Sequence, residues 1–178
     1  MSGFCGIFQE RGLVDEQLIT KMREKMCHRG PDEGKNFTST HLGLGFRALK
    51  TPALPGDSQP LSNEDESLWL VCDGRIYNYK SLRQTLVTKG HKFSTHSDSE
   101  VILHLYEENG TECLEHLRGM FAFALWDKKN RLLFGARDRF GHKPFYYLES
   151  PDRLAFASEI KALAELPFFS GEVEESAF

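Results

Sequence analysis

The sequence has no long apolar run. Nothing in it approaches the ~20 consecutive apolar residues of a membrane helix. Residues 1–30 lack the apolar centre of a secretory signal, because MREKMCHRG is charged. Basic residues form no run either: 22 Lys and Arg against 26 Asp and Glu leave a net charge of −4. Neither nucleic acid nor an anionic membrane is therefore an expected partner. Cysteine is sparse. Cys5, Cys27, Cys72 and Cys113 make no CxxC pair and no zinc spacing, which reads as reduced thiols in a cytoplasmic protein. The seven histidines show no HxH or HExxH cluster, so no metal is expected. No internal repeat is visible.

What is present is ordinary in bulk and particular in detail. A length of 178 residues is one domain's worth of chain, with 40% hydrophobic and 27% charged residues. The chain opens MSGFCGIF, a strand that begins almost at the first residue and carries two nucleophiles, Ser2 and Cys5. Residues 15–26 place Leu18, Met22 and Met26 on one helical face. NFTSTHLGLGFRAL (36–49) reads as two strands, and 51–67 as a long Pro-bearing loop of the kind that carries function. LWLVC (68–72) is a buried strand, after which Asp73-Gly74 is by itself a strong hairpin-turn dipeptide. Helices are expected over 78–89, over 97–110 with a serine or Asp98 as N-cap, and over 159–166. Residues 120–138 and 144–159 read as hairpins. HRGPD (28–32) reads as a rigid loop, and His142 and Lys143 as members of a turn. Blocks of antiparallel hairpins with helices predict an α+β domain with sheet layers covered by helices.

Eight stretches in register carry a resemblance: HRGPDEG (28–34), LGFRAL (44–49), QPL (59–61), DGRIYNY (73–79), SDSEVIL (97–103), LRGMFAFALWD (117–127), RDRFGHKPFYY (137–147) and FASEIKAL (156–163). In this order they resemble the N-terminal glutaminase domain of glutamine-hydrolysing asparagine synthetases, class II amidotransferases with an N-terminal nucleophile (Ntn type). The resemblance implies a four-layer αββα sandwich with two antiparallel sheets. It also implies a glutamine amidotransferase type 2 domain over 1–166 and the start of a linker to a synthetase domain over 167–178.

The resemblance gives the opening residues a role. Family members begin Met-Cys-Gly, and removal of Met1 frees an α-amine beside the nucleophile. A reference pKa of about 7.7–8.0 suits that amine as a base at neutral pH. Ser2 stands here at the nucleophile position, and Cys5 falls at a variable one and reads as core. Asp73 stands where the family has an oxyanion-hole Asn, and Gly74 keeps the backbone donor. Arg47 matches the residue that grips the α-carboxylate of glutamine, and Asp98 the one that receives its α-ammonium. Backbone contacts are implied for Ala48 and Thr51, and Arg75 replaces the usual Glu beside the site. The implied partners are L-glutamine and a synthetase domain in cis or trans, and a homodimer is compatible. No cofactor is implied for this domain; ATP and Mg²⁺ belong to the synthetase domain, whose Gly-rich pyrophosphate loop is not in this sequence. Two alternatives stand beside the glutaminase: a non-catalytic structural or glutamine-sensing module, motivated by Ser2, Asp73 and Arg75, and a Ser2 amidase acting on another amide.

Overall fold

The computed structural model describes residues 1–50 and 58–172; Thr51 and the tail from 173 lie outside the described residues. The strands are β1 (Gly3–Gln9), β2 (Glu33–Thr38), β3 (Leu42–Ala48), β4 (Leu61–Ser62), β5 (Leu68–Ile76), β6 (Gly119–Asp127), β7 (Leu132–Arg137), β8 (Tyr146–Ser150) and β9 (Arg153–Ala157). The helices are α1 (Glu16–Glu24), α2 (Tyr79–Thr88), α3 (Glu100–Asn109), α4 (Cys113–His116) and α5 (Ile160–Leu163). All strand pairings are antiparallel. One sheet has five strands in the order β2-β3-β1-β9-β8, and the other has four in the order β4-β5-β6-β7.

Period-two alternation sorts the strand side chains into three apolar layers. Between the sheets lie Phe4, Leu42, Leu44, Phe46, Val71, Ala122, Ala124, Trp126 and Phe156. Cys5, Ile7, Ala155 and Ala157 point outward from the first sheet and meet Ile19, Met22 and Leu163 of α1 and α5. Leu70, Cys72, Phe121 and Phe123 point outward from the second sheet and meet Ile102, Leu105 and Leu86 of α3 and α2. The layering is helix, sheet, sheet, helix, as the sequence resemblance implies. Phe168 and Phe169 also pack on the first outer layer, so packing continues past residue 166.

The strand after Leu68 differs from the local reading. It does not turn at Asp73-Gly74 but runs on to Ile76, pairing Asp73 with Ala122 and Gly74 with Phe121. A Cβ at Gly74 would run into the backbone of Met120 and Phe121, so the residue that suggests a turn is there for close strand approach. The last helix is also shorter than expected, one turn rather than two.

Small residues let the inner layer close. The Phe156 ring lies across Gly6, its cross-strand partner, and stacks on Phe145 with ring centroids 5.7 Å apart. A Cβ at Gly6 would enter that ring. Gly6→Ala is expected to lower stability by about 1–3 kcal/mol through overpacking. Urea unfolding midpoints at constant m would measure it, and an unchanged midpoint would refute the close contact.

Candidate active site

β1 is the middle strand of its sheet, so the chain start is held from both sides. Gly3 pairs with Arg47 of β3. The Phe4 N–H donates to Ser158 Oγ at 3.1 Å, and the Ser158 N–H donates to the Phe4 carbonyl at 2.8 Å. Ser2 lies just before this clamp. Its carbonyl accepts from Arg29 Nε at 2.9 Å, and its Oγ accepts from the Leu49 N–H at 3.4 Å. Asp73 shares the face of Val71, the face that β5 turns toward the other sheet, and so looks toward the start of β1. A cleft of about 130 Å³ opens there, lined by Ser2, Asp73, Gly74, Arg75, Ser99 and Lys143 among others. Larger hollows lie elsewhere, at Trp69 (about 400 Å³) and Phe140 (about 520 Å³), and neither is lined by Ser2 or Asp73.

The cleft is a small, charged enclosure. Asp73 is buried between two buried cations: Arg29 Nη2 donates to its Oδ2 at 3.0 Å, and Lys143 Nζ to its Oδ1 at 3.4 Å. The α-amine at the chain start has its pKa lowered from the ordinary 8.0. Burial is the main cause; Asp73 opposes it, and Lys143, Arg29 and Arg75 add to it.

Asp98 lies just before α3, whose N-cap position is Ser99. Its Oδ2 accepts from the Ile76 N–H at 2.7 Å and its Oδ1 sits 3.4 Å from Arg75 Nη1, which ties α3 to the end of β5. Arg47 lies on the outer face of β3. Its Nε donates to the Gly30 carbonyl at 2.7 Å, its Nη2 to the Pro31 carbonyl at 3.1 Å, and it is 3.4 Å from Glu24. Arg47 thus holds the HRGP loop and does not line the cleft, and Ala48 next to it is buried between the sheets. Cys5 is fully buried on the helix side of β1, where burial pushes its thiol up to about 12. That is a core thiol, not an attacking one.

Comparison with known proteins decides the family. A family model described as a glutamine amidotransferase domain matches residues 1–178. The chain belongs to the glutamine amidotransferase domain family. It is 46% identical over 167 residues to "Asparagine synthetase [glutamine-hydrolyzing] 1" of Bacillus subtilis (strain 168), covering 92% of this chain and 26% of that protein. It is 40% identical over 167 residues to "Asparagine synthetase [glutamine-hydrolyzing] 3" of Arabidopsis thaliana, covering 90% and 28%. The chain thus spans about a quarter of the length of these curated relatives. Among solved structures it resembles a glutamine phosphoribosylpyrophosphate amidotransferase from B. subtilis complexed with ADP and GMP. The TM-score is 0.72 at 22% identity, over 91% of this chain and 43% of that one, which establishes the shared Ntn-type fold.

Three residues of this amidotransferase domain escaped the sequence reading. HRGPD is indeed a loop beside the site, but Arg29 reaches inward and joins Ser2, Asp73 and Glu159, the last at 3.3 Å. Lys143 does lie in the bend after β7, but it is only 7% exposed and lines the cleft. Gln59 acts as a false strand: Cys72 N–H donates to its Oε1 at 2.6 Å, and its Nε2 donates to the Cys72 carbonyl at 2.9 Å. For Arg29 and Lys143 the available signal was a basic residue beside Gly or Pro, which marks a loop that folds back but not which side chain turns in.

Lys143 is aimed by a buried carboxylate. Asp138 accepts from the backbone N–H groups of Phe121, Phe140, His142 and Lys143 and from His142 Nδ1 at 2.9 Å. Burial pushes the Asp138 pKa up, but the His142 side chain and these N–H groups outweigh it, and the net shift is well below the carboxylate range. A depressed folded-state pKa adds stability above the unfolded value of about 3.9, and that stability is lost as pH falls below it. Asp138→Asn is therefore expected to cost about 1–3 kcal/mol at pH 7. The gap between parent and variant should narrow below about pH 4. Urea unfolding at several pH values would show this; a gap independent of pH would rule the carboxylate charge out as its cause.

Proposed function

We propose that this domain is the glutaminase half of an asparagine synthetase-like protein, hydrolysing glutamine to glutamate and ammonia for a synthetase domain that amidates aspartate. The observation that carries it is Ser2, held at the start of a central strand inside a cleft shared with Asp73, Gly74 and Lys143. After removal of Met1, the Ser2 α-amine takes the proton from Oγ, and Oγ attacks the side-chain amide carbon of glutamine. The tetrahedral intermediate expels ammonia with the proton returned from the amine, leaving a glutamyl ester on Ser2. Water, deprotonated by the same amine, releases glutamate. Nucleophile and base share one residue, so no second element must be brought to them.

The charges around this chemistry support the reading. An isolated Asp73 carboxylate would oppose the oxyanion, but here it stands between Arg29 and Lys143, which together outweigh its charge. Gly74 offers a backbone donor. The Arg75–Asp98 pair offers a cation and a carboxylate to the α-carboxylate and α-ammonium of glutamine. Arg47 reaches the α-carboxylate only by giving up its bonds to Gly30 and Pro31. Main-chain contact from Ala48 to the same substrate is part of this proposal. The hydrolysis balances without a cofactor; ATP and Mg²⁺ belong to the synthetase step. Phe168 and Phe169 pack on the first outer layer, so the amidotransferase body extends past the expected boundary at 166, and the partner domain would follow it. Four cysteines without a disulfide framework suit the cytoplasm. Among the described residues no helix is long and apolar enough to cross a membrane. Glutamate release from glutamine, by chain whose loss of Met1 is confirmed by intact mass, tests the proposal. Complete inertness of that processed chain would sink it.

A further inference from the structure

On the helix-covered side of the second sheet, away from Ser2, two histidines from different elements converge. His91 follows Gly90 at the end of α2, and His104 sits within α3. Their ring centroids are 5.0 Å apart. Both Nδ1 atoms face the same oxygen: Glu107 Oε2 lies 2.8 Å from His104 Nδ1 and 3.1 Å from His91 Nδ1. The other ring nitrogens also face carboxylates. His91 Nε2 is 3.0 Å from Glu108 Oε1, and His104 Nε2 is 3.9 Å from Glu100 Oε1. His104 is 1% exposed, and among the described residues its Nε2 is a buried side-chain atom with no hydrogen-bond partner.

With the protons on Nδ1, both rings donate to Glu107 Oε2; with the protons on Nε2, both Nδ1 lone pairs converge on that oxygen, an arrangement that a cation among the three atoms would hold together. A tetrahedral zinc with bonds of about 2.0–2.1 Å separates its ligands by about 3.3 Å; here the two oxygen–nitrogen spacings are 2.8 and 3.1 Å, and the three ligand atoms lie within 4.8 Å of one another. Metal-bound histidines ordinarily donate their second N–H to a carboxylate, the place that Glu108 occupies for His91, while Glu100 lies 3.9 Å from His104 Nε2. Glu100 is itself fixed by the backbone N–H groups of Ser94 and Thr95 at 2.6 and 2.8 Å, and Asn63 Nδ2 donates to the remaining Glu107 oxygen at 2.8 Å.

We propose that His91, His104 and Glu107 form a zinc site that fastens the segment after α2 to α3. The ion would steady α3, whose first turn follows Asp98 and Ser99, without touching the reacting atoms. Motif spacing does not reveal it: one histidine comes from a loop, and His104 and Glu107 are simply a turn apart on a helix. The expectation of no metal rested on motif spacing alone.

The test is zinc binding by the full chain after chelator treatment, using equilibrium dialysis against zinc alone with metal counted by mass spectrometry. One equivalent of zinc per chain is expected, with a raised Tm. His91→Gln and Glu107→Gln should each abolish that equivalent, and Glu108→Gln should weaken binding about 10–100-fold. Circular dichroism would confirm that these partly exposed substitutions leave the fold intact. In the parent, X-ray absorption should show two imidazole ligands on the bound zinc. Zinc retained equally by parent and His91→Gln, or no zinc retained by the parent, would overturn the site. Glutamine turnover plays no part in either readout.

Discussion

Ser2→Ala is expected to remove at least about 10³-fold of the glutamate release that the processed parent shows, whereas Ser2→Cys should retain or raise it. Alanine leaves the cleft, the amine and the flanking charges in place and takes away only the atom that forms the ester. What survives loss of a nucleophile elsewhere is the residual catalysis of binding and charge stabilisation, about 10³–10⁴ over water. A thiol restores the nucleophile in a more reactive form, since a few per cent of a free cysteine is already thiolate at neutral pH. Serine has no such reserve and depends on the amine. In the unprocessed chain the Met1 α-amine beside this cleft has its pKa lowered from 8.0, by burial first and then by Lys143, Arg29 and Arg75; the Ser2 amine freed in the same cleft is expected to meet the same cations, which favour its unprotonated form. Removing Met1 from all three proteins, checked by intact mass, makes the comparison one of side chains alone. If Ser2→Ala turned over glutamine as fast as the parent, the nucleophile would have to lie elsewhere. Cys5 could not be it, being fully buried on the far face of β1.

Much of the layered fold was legible because it rests on short apolar runs bounded by turn residues, such as those around Phe4, Phe46, Val71 and Phe123, which the eight family stretches put in order. What was not legible depends on partners distant in the chain. Asp73-Gly74 has the local chemistry of a turn, but pairing with Ala122 and Phe121 holds it straight. Arg29 and Lys143 sit in loops whose composition says only that the chain bends. Their inward direction is set by the Asp73 carboxylate and, for Lys143, by the Asp138 cage. Arg47 shows the converse. Its position in LGFRAL suggested the substrate, and β3 places its guanidinium on the outer face, on the carbonyls of Gly30 and Pro31. Strand parity places a side chain on a face, but which loop folds over that face is a tertiary matter. The same holds for His91 and His104, whose meeting requires the end of α2 to lie against α3.

Arg29→Ala should be the most destabilising change at the site, costing about 3–5 kcal/mol, the range for removing one partner of a buried ion pair. Its guanidinium joins three elements: the Ser2 carbonyl at 2.9 Å, Asp73 Oδ2 at 3.0 Å and Glu159 Oε1 at 3.3 Å. Its stem also packs where a side chain at Gly3 would otherwise lie. Truncation leaves Asp73 buried with only the longer Lys143 contact, and that orphaned carboxylate is the main cost. The cost should therefore be non-additive. Asp73→Asn alone removes the anion between two cations and destabilises. Asp73→Asn added to Arg29→Ala removes a charge that has lost its better partner, and should recover stability. A double-mutant cycle by urea unfolding should give a coupling of about 1–3 kcal/mol. Arg29→Lys should fall between, because a single ammonium cannot span three acceptors held by a planar fork. Strict additivity of Arg29→Ala and Asp73→Asn would mean that the pair is incidental. A large coupling would show that Asp73, where the resemblance implies an asparagine, is energetically tied to the cations that surround it, so that placing asparagine there alone would unbalance the site.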